Sequence, residues 1–510
     1  MFKRNSKAKY IVILLSSIIF ILLVCREVKA EKYRCMGIPF ITEEELQQIP
    51  LQAVELDNIV SLEGNVTAFD QIKRKIYLPC TIDENTRFYD LEGQLKSVLP
   101  QYNLYFLWES AFDIMKEAVM YGCNFTLYAI DGEGHYTTYA VIFTQLPIIE
   151  LQGEVITVDE RERDVYSGEL TVWEPKGTQI KQLQVRNSNL EWHVRGFSSQ
   201  SFPKKSLKLN LKEKDGKQNN FSMLGFESDD DYILNPLYFD DVDVREKLAM
   251  ELWNELTAIK GSTLKMTGGE YCELIINGEY QGLRLLQNKI EKKYLKLKES
   301  DILLKGNNVN VGTQKGPNEV YEIVYSSYDE KTTYATISDF FYETDFSNVD
   351  LESWVDMQLF LQLGNMKDNE TYKNTYYVIE KSEEQEIMKF IPWDTDMSFG
   401  IYWDISFNYL PESVEIVTYR IEYEALKEQY PQIDEMLAKR WKELRESFYT
   451  EGNIIGKINK CVEQLYNSGA LHRDFSVLGW YPWGGRDTYE ALVTYIQRRL
   501  EVLDAHYGLQ

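Results

Sequence analysis

Apolar and polar residues alternate over residues 206–212, whereas apolar residues recur at every fourth position over residues 242–256. The first pattern is typical of a half-buried strand with cations on its other face, and the second is typical of an amphipathic helix. Asp243 stands at the start of the second segment, where it is placed to cap the helix. The two segments therefore predict a strand followed by a helix.

A hairpin and a second helix are indicated further along the chain. Asn277 and Gly278 both tolerate positive φ and stand between two apolar runs, so residues 271–290 are expected to form a β-hairpin. With the preceding strand and helix, this hairpin is expected to build a small sheet that covers a cleft. Apolar residues at four-residue spacing from Leu351 predict a helix that ends at Gly364.

Four polar side chains surround a second predicted hairpin. Asp368 and Asn374 lie in the loop before it, and Asp394 and Asp396 follow its second strand in the sequence FIPWDTDMSFG. In extended backbone, side chains two residues apart point to the same side, so these last two carboxylates are expected to lie together. The hairpin is expected to return them to the neighbourhood of Asp368.

This set of groups fits phosphoryl transfer. Carboxylate and amide oxygens hold Mg²⁺ on nucleotide phosphates, and a separate carboxylate orients the acceptor hydroxyl. The alternative for any single residue is a turn cap at the end of a strand, but the four in this order favour the phosphoryl transferase. A loop rich in hydrogen-bond donors begins at Arg195 and suits phosphate oxygens, although a basic strand is also typical of a solvated face.

The first 30 residues have the features of a secretory signal peptide, with a basic start, an apolar run and a cleavage site after Ala30. The protein is therefore expected to be secreted or extracytoplasmic, without a stable membrane span after cleavage. An uncleaved anchor is the alternative. Pro147 and a new series of strands indicate a boundary that separates a β-rich module, residues 31–145, from a larger domain, residues 146–510.

Net charge limits the classes of partner that the chain suits, and cysteine content limits its zinc sites and disulfides. The chain has 80 acidic and 55 basic residues, a net charge of −25, which disfavours nucleic acid and suits basic proteins or divalent cations. The absence of a CxxC pair excludes a zinc ribbon and leaves one or two disulfides open. The acidic run at residues 227–232 lacks the glycine and terminal glutamate of a calcium loop and is interpreted as a solvated turn.

Five segments together resemble the spore-coat protein H (CotH) kinase-like family of atypical secreted protein kinases. They are VRGFSSQSFPKKSLKLNL, DVREKLAMEL, ELIINGEYQGLRLL, the stretch from Asp368 to Tyr377, and IPWDTDMSFG. The resemblance implies an α+β fold of the minimal, two-lobed, atypical protein-kinase type, here preceded by the β-rich module. It also implies transfer of the ATP γ-phosphate to serine hydroxyls of exported, surface or coat proteins, with Mg²⁺ or another divalent cation.

The resemblance assigns roles to individual residues. The catalytic position falls on Asp368, and the metal-binding positions fall on Asn374, Asp394 and Asp396. The nucleotide phosphates are expected at Arg195, Ser198, Ser199 and either Lys205 or Lys208. The strand pattern turns Lys208 away from the leucines, but it does not decide between the two lysines.

Two positions depart from the family pattern. Asn288 stands where members carry a glutamate, and Asn369 stands where a basic residue often follows the loop aspartate. These departures keep a second function open, that of a non-catalytic surface or spore-coat assembly protein. Such a protein would use the same fold as a binding module, with the N-terminal region in contact with partners.

Overall fold

The fold is described from a computed structural model of the chain. The described residues are 33–91, 93–111, 114–154, 164–175, 183–196, 200, 202–307, 316–383, 385–401, 414–479, 484–485 and 487–509. The predicted signal peptide, Ser198 and Ser199 lie outside them. Within these ranges no helix has both the length and the apolar character required to cross a membrane.

The chain opens with a β-rich region built from two sheets. Its strands are β1 (Arg34–Cys35), β2 (Ile38–Ile41), β3 (Gln52–Ala53), β4 (Val60–Leu62), β5 (Asn65–Val66), β6 (Ala68–Asp70), β7 (Lys75–Pro79), β8 (Leu95–Ser97), β9 (Asn103–Leu107), β10 (Phe125–Ile130) and β11 (His135–Thr144). The larger sheet has the order β1-β2-β9-β10-β11-β7-β6, with β3 beside β11, and the smaller has the order β5-β4-β8. Two short helices, α1 (Glu43–Gln47) and α2 (Met115–Met120), accompany them.

Seven strands then close into a barrel in the order β12-β13-β14-β15-β16-β18-β17. They are β12 (Ile148–Gly153), β13 (Tyr166–Pro175), β14 (Leu183–Arg195), β15 (Ser206–Lys212), β16 (Asp231–Asn235), β17 (Gly269–Ile276) and β18 (Glu279–Asn288). Parallel pairing of β12 with β17 completes the ring. In β15 the leucines at 207, 209 and 211 are buried inside the barrel, as their alternation predicts, and Lys208 faces outward into a cleft.

The predicted hairpin is present as β17 and β18. Asn277 and Gly278 have φ of 49° and 72°, the positive values that the turn requires. The expectation of a small covering sheet is wrong, because both strands belong to the barrel. An alternating pattern fixes which face of a strand is buried, but it does not encode which strands become its neighbours.

The predicted amphipathic helix is α3 (Arg245–Ile259), but its cap differs from the prediction. Asp240 accepts hydrogen bonds from the backbone N–H groups of Val244 and Arg245, both at 2.6 Å. Asp243 instead has φ of 59°, and its carbonyl accepts a hydrogen bond from Tyr271. The chain turns sharply before the helix, so the capping carboxylate comes from further upstream.

A four-stranded sheet with the order β20-β19-β21-β22 follows the barrel. Its strands are β19 (Ile302–Gly306), β20 (Tyr321–Tyr325), β21 (Thr375–Lys381) and β22 (Glu386–Pro392). The helices around it are α4 (Lys292–Leu295), α5 (Pro317–Val320), α6 (Glu330–Ala335), α7 (Ser338–Phe341) and α8 (Leu351–Gly364). Helix α8 has the predicted bounds, since Asp350 caps its start and Asn365 ends it in the left-handed conformation.

Among the described residues, five further helices follow the sheet, and the protein is α+β as predicted. They are α9 (Tyr423–Gln429), α10 (Ile433–Ser447), α11 (Glu451–Ser468), α12 (Ala470–Leu478) and α13 (Tyr489–His506). Together with α3, α8 and the four-stranded sheet they enclose one large apolar core. The five cysteines from Cys35 to Cys461 are free thiols, so the disulfides left open by the sequence do not form among the described residues.

The β-rich region is joined to the barrel through a buried ion pair. Arg473 of α12 donates to both carboxylate oxygens of Glu273 in β17, at 2.7 and 2.9 Å, and to Thr144 at the end of β11. The rings of Tyr77 and Tyr280 stack across the same junction at 4.8 Å. Three parts of the chain therefore meet at one guanidinium.

This junction predicts a large difference between two arginine substitutions. Arg473→Met should lower the free energy of unfolding by about 3 kcal/mol or more, because Glu273 would be left buried without its counter-charge. Arg498→Met is the control, since Arg498 pairs with Glu415 at the surface, where such a pair is worth about 1 kcal/mol or less. Urea unfolding of the two variants measures the difference, and equal losses would contradict the role given to the buried pair.

Candidate active site

A cleft of about 690 Å³ separates the barrel from the four-stranded sheet. This size suits a ligand such as a nucleotide. Strands β14, β15 and the end of β18 supply one wall, and β19, β20 and the residues around the β21–β22 hairpin supply the other. Its polar lining includes Arg195, Lys208, Lys289, Lys305, Asn374 and Asp394.

Asp368 lies in a short helical turn directly after α8. One of its oxygens accepts a hydrogen bond from the Asn374 side-chain amide at 2.9 Å, and the other pairs with the Lys373 ammonium at 2.6 Å. The carboxylate keeps about a quarter of its side-chain surface exposed. The predicted catalytic and metal-binding residues of this loop are therefore in direct contact, and Lys373 is a partner that sequence reasoning missed.

Asn369, one of the two departures from the family pattern, is fully buried beneath the loop. Its side-chain amide donates to the carbonyl of Asn374 at 2.9 Å and to the carbonyl of Trp393 at 2.8 Å. The first acceptor belongs to the Asp368 loop and the second immediately precedes Asp394. Asn369 thus ties together the two segments that carry the candidate site.

The backbone at Asp394 differs from the extended conformation that the sequence predicted. Its φ of 56° is left-handed, so the chain turns there and does not continue as an extended strand toward Asp396. Asp394 is exposed to the cleft, whereas Asp396 is only partly accessible and accepts a hydrogen bond from the Met397 backbone at 2.9 Å. The two carboxylates remain electrostatic neighbours, but through a turn.

A fourth carboxylate, Glu246 in the first turn of α3, was not found by sequence reasoning. It is buried and accepts hydrogen bonds from Thr395 at 2.8 Å and Gln287 at 3.4 Å. Burial, reinforced by the nearby Asp394 carboxylate, raises the pKa of Glu246 to about 7. The only sequence signal was its place beside Arg245 in the helix that the leucine spacing predicted.

The carboxylates crowd one another. Burial, followed by the charges of Asp394 and Glu246, raises the pKa of Asp396 well above its usual value. The pKa of Asp394 is raised as well, because surrounding protein removes part of its hydration even though the side chain is exposed to the cleft; Arg195 and Lys305 partly offset this effect. These carboxylates therefore disfavour one another's ionised forms, and a divalent cation would relieve the repulsion.

The donor set fits a metal ion that is shared with a ligand. Within the described ranges, no three carboxylate, histidine or cysteine side chains converge closely enough to hold a metal ion alone. Mg²⁺ commonly takes one or two carboxylates and completes its coordination with water and substrate phosphates. Asp394, Asp396 and the Asn374 amide would hold such an ion only together with phosphate oxygens.

The cationic wall of the cleft differs in part from the prediction. Arg195 and Lys208 line it, whereas the Lys205 ammonium donates to the carbonyl of Gln200 at 2.5 Å. Lys289 and Lys305 also line the cleft, and no pattern in the sequence singled them out. Both come from segments that are distant in sequence from the predicted phosphate loop.

The interpretation of residues 227–232 as a solvated turn is wrong for its three aspartates. Asp229, Asp230 and Asp231 are buried, and Asp231 lies 2.7 Å from Lys289 and 3.4 Å from Lys208.

Arg245, in the first turn of α3, pairs with other acids. It is fully buried and binds Asp240, Asp487 and the carbonyl of Phe399, which joins α3 to the loop after Asp396.

Comparison with known families identifies the class of protein. The model of the family described as CotH kinase protein matches residues 192–503, more than half of the chain. The chain therefore belongs to the CotH kinase family, as the sequence segments indicated. The comparison with curated proteins found no match. The family match begins within β14, so the first strands of the barrel precede it.

Gly306 fixes the distance between β19 and the Asp368 loop. A Cβ atom at this glycine would lie 1.8 Å from the carbonyl oxygen of Tyr372, so any larger residue forces the strand and the loop apart. The close approach holds Lys305 beside the segment that carries Asp368 and Asn374.

We expect Gly306→Ala to lower the free energy of unfolding by about 1–3 kcal/mol, the usual effect of overpacking against backbone. Gly456→Ala is the matched control, because a Cβ there meets nothing within 4 Å and alanine is the better helix former. Thermal unfolding of both variants tests the contact. If Gly306→Ala proved as stable as Gly456→Ala, the strand and loop would not be packed as described.

Proposed function

We propose that this protein is an atypical protein kinase that transfers the γ-phosphate of ATP to serine hydroxyls of exported, surface or coat proteins. The observation that carries the proposal is that Asn374 and Asp394 line a nucleotide-sized cleft together with cationic side chains, while Asp368 is hydrogen-bonded to Asn374. Membership of the CotH kinase family supports the class of reaction. In this proposal the barrel and the four-stranded sheet with its helices are the two lobes.

Phosphoryl transfer demands positioning and charge stabilisation more than covalent chemistry from the protein. Asp394 and Asp396, with Asn374, would hold Mg²⁺ on the phosphates, and the cation would neutralise negative charge that develops during transfer. Cleft cations would bind the remaining phosphate oxygens. The Mg²⁺ would also relieve the repulsion between the Asp394 and Asp396 carboxylates.

Asp368 would have a different task. Its carboxylate is fixed by Lys373 and Asn374 and remains partly exposed, so it is available to a hydroxyl that approaches from solvent. As the positioned carboxylate it would orient that hydroxyl and accept its proton, the role of the catalytic-loop aspartate in kinases. The Lys373 ammonium beside it would stabilise the transferred phosphate.

The division of roles predicts that two aspartate substitutions fail in different ways. Asp396→Ala should abolish metal-dependent ATP binding and transfer together, because without this ligand the metal ion is lost and the charge of the phosphates is left uncompensated. Asp368→Ala, and the isosteric Asp368→Asn, should keep most ATP affinity while transfer falls by on the order of 10² or more. Calorimetry with Mg²⁺ and ATP measures binding, and labelled phosphate incorporated into a serine peptide library measures transfer.

Asp215→Ala is the control, since Asp215 lies in an exposed turn and pairs only locally with Lys217. Equal loss of ATP binding in the Asp368 and Asp396 variants would refute the division of roles. Full transfer by either variant would remove these residues from the catalytic site. Binding without any transfer by the unaltered protein would favour the alternative, a non-catalytic assembly protein.

A further inference from the structure

Two of the four cleft cations share a single carboxylate. Asp231, at the start of β16, accepts a hydrogen bond from Lys289 at 2.7 Å and lies 3.4 Å from Lys208. Its side chain is only 10% exposed, so the pairing is largely withdrawn from water. Burial alone would lower the pKa of Lys289, but Asp231 and Glu291 more than offset this, and the pKa is raised. Both lysines are therefore paired with the same largely buried carboxylate.

The other two cations are held on aromatic faces. The Arg195 guanidinium lies 5.8 Å from the centre of the Trp393 ring, and the Lys305 ammonium lies 5.9 Å from the centre of the Tyr376 ring. The two rings pack edge to face with their centres 5.7 Å apart, and both are almost fully buried. Both cations therefore lie beside one buried pair of packed aromatic rings.

This aromatic pair is continuous with the candidate catalytic segments. Trp393 directly precedes Asp394, and the backbone N–H of Trp393 donates to the carbonyl of Asn374 at 2.9 Å. Lys305 stands opposite Tyr376 in the pairing of β19 with β21. Arg195 and Lys305 consequently face the end of the cleft where Asp394 lies, from opposite walls.

We propose that Lys305 and Arg195 form the polyphosphate clamp of this cleft, while Lys208 and Lys289 are a scaffold held by Asp231. The guanidinium offers a planar pair of donors and the ammonium a point charge, a combination suited to a chain of phosphates that also carries a metal ion. The assignment deepens the proposed function, because it names the lysine that binds the phosphates. It does not depend on the transfer step.

The test compares lysine-to-methionine variants, since methionine keeps an apolar stem on the neighbouring ring but removes the charge. Lys305→Met should weaken binding of Mg²⁺–ATP and of inorganic triphosphate by on the order of ten- to a hundredfold, the range for a lost charge-assisted hydrogen bond. Its affinity for adenosine, which has no phosphate, should stay within about twofold. Lys208→Met should lose less than about threefold for every ligand.

Lys212→Met is the matched control on the same strand as Lys208, because Lys212 pairs with Glu191 near the surface. Calorimetry on the full chain measures the affinity of each variant for Mg²⁺–ATP, inorganic triphosphate and adenosine. Loss of triphosphate affinity in Lys208→Met but not in Lys305→Met would overturn the assignment, and so would a parallel loss of adenosine affinity in Lys305→Met.

The two proposals fail separately. If the unaltered protein binds triphosphate through Lys305 but does not bind ATP, the clamp stands and the kinase function is wrong. If it binds ATP with equal affinity in the Lys305→Met variant, the clamp is wrong and the kinase function stands. If it binds neither ligand, both are wrong.

Discussion

The candidate site depends on one buried side chain. The Asn369 amide donates two hydrogen bonds, to Asn374 and to Trp393, and so fixes the Asp368 loop against the start of the Asp394 turn. Both acceptors are backbone carbonyls, so the tie holds the chain itself. The tie adds to the hydrogen bond from the Trp393 backbone N–H to the Asn374 carbonyl, at 2.9 Å, which extends the pairing of β21 with β22 toward the site. The unusual asparagine after the loop aspartate is therefore an architectural residue.

Charge arrangement is the second constraint. Asp368, Asp394, Asp396 and Glu246 lie near one another, and the burial of Glu246 and partial burial of Asp396 make the repulsion costly. Arg245 holds the loop after Asp396 by donating a hydrogen bond to the carbonyl of Phe399. Arg195 and Lys305, which line the cleft, partly offset the raised pKa of Asp394. Such a concentration of carboxylates is typical of a functional site, where a bound cation can complete the charge balance. Asn288, the other departure, lies buried at the end of β18, next to Lys289.

Local pattern predicted the elements, and distant contacts determined the site. The alternation in β15, the Asn277–Gly278 turn and the bounds of α8 follow from period and turn chemistry within a few residues. The barrel, the Asp240 cap and the pairing of Asp231 with Lys289 do not, because each depends on partners that the local pattern does not specify. Lys305 and Glu246 escaped notice for the same reason: each lies in an ordinary strand or helix, and only the fold brings them to Asp394. The left-handed turn at Asp394 was missed because a period-two argument assumes an extended chain.

The central claim is that the cleft between the barrel and the four-stranded sheet binds a nucleotide together with a divalent cation. Amide hydrogen exchange of the full chain, with and without Mg²⁺ and ATP, tests it most directly because it locates binding without assuming turnover. We expect slower exchange in residues 302–307, 374–376 and 393–396 that requires both ligands, with the N-terminal strands unchanged. The absence of any metal-dependent change there, or a change confined to residues 33–144, would contradict the account.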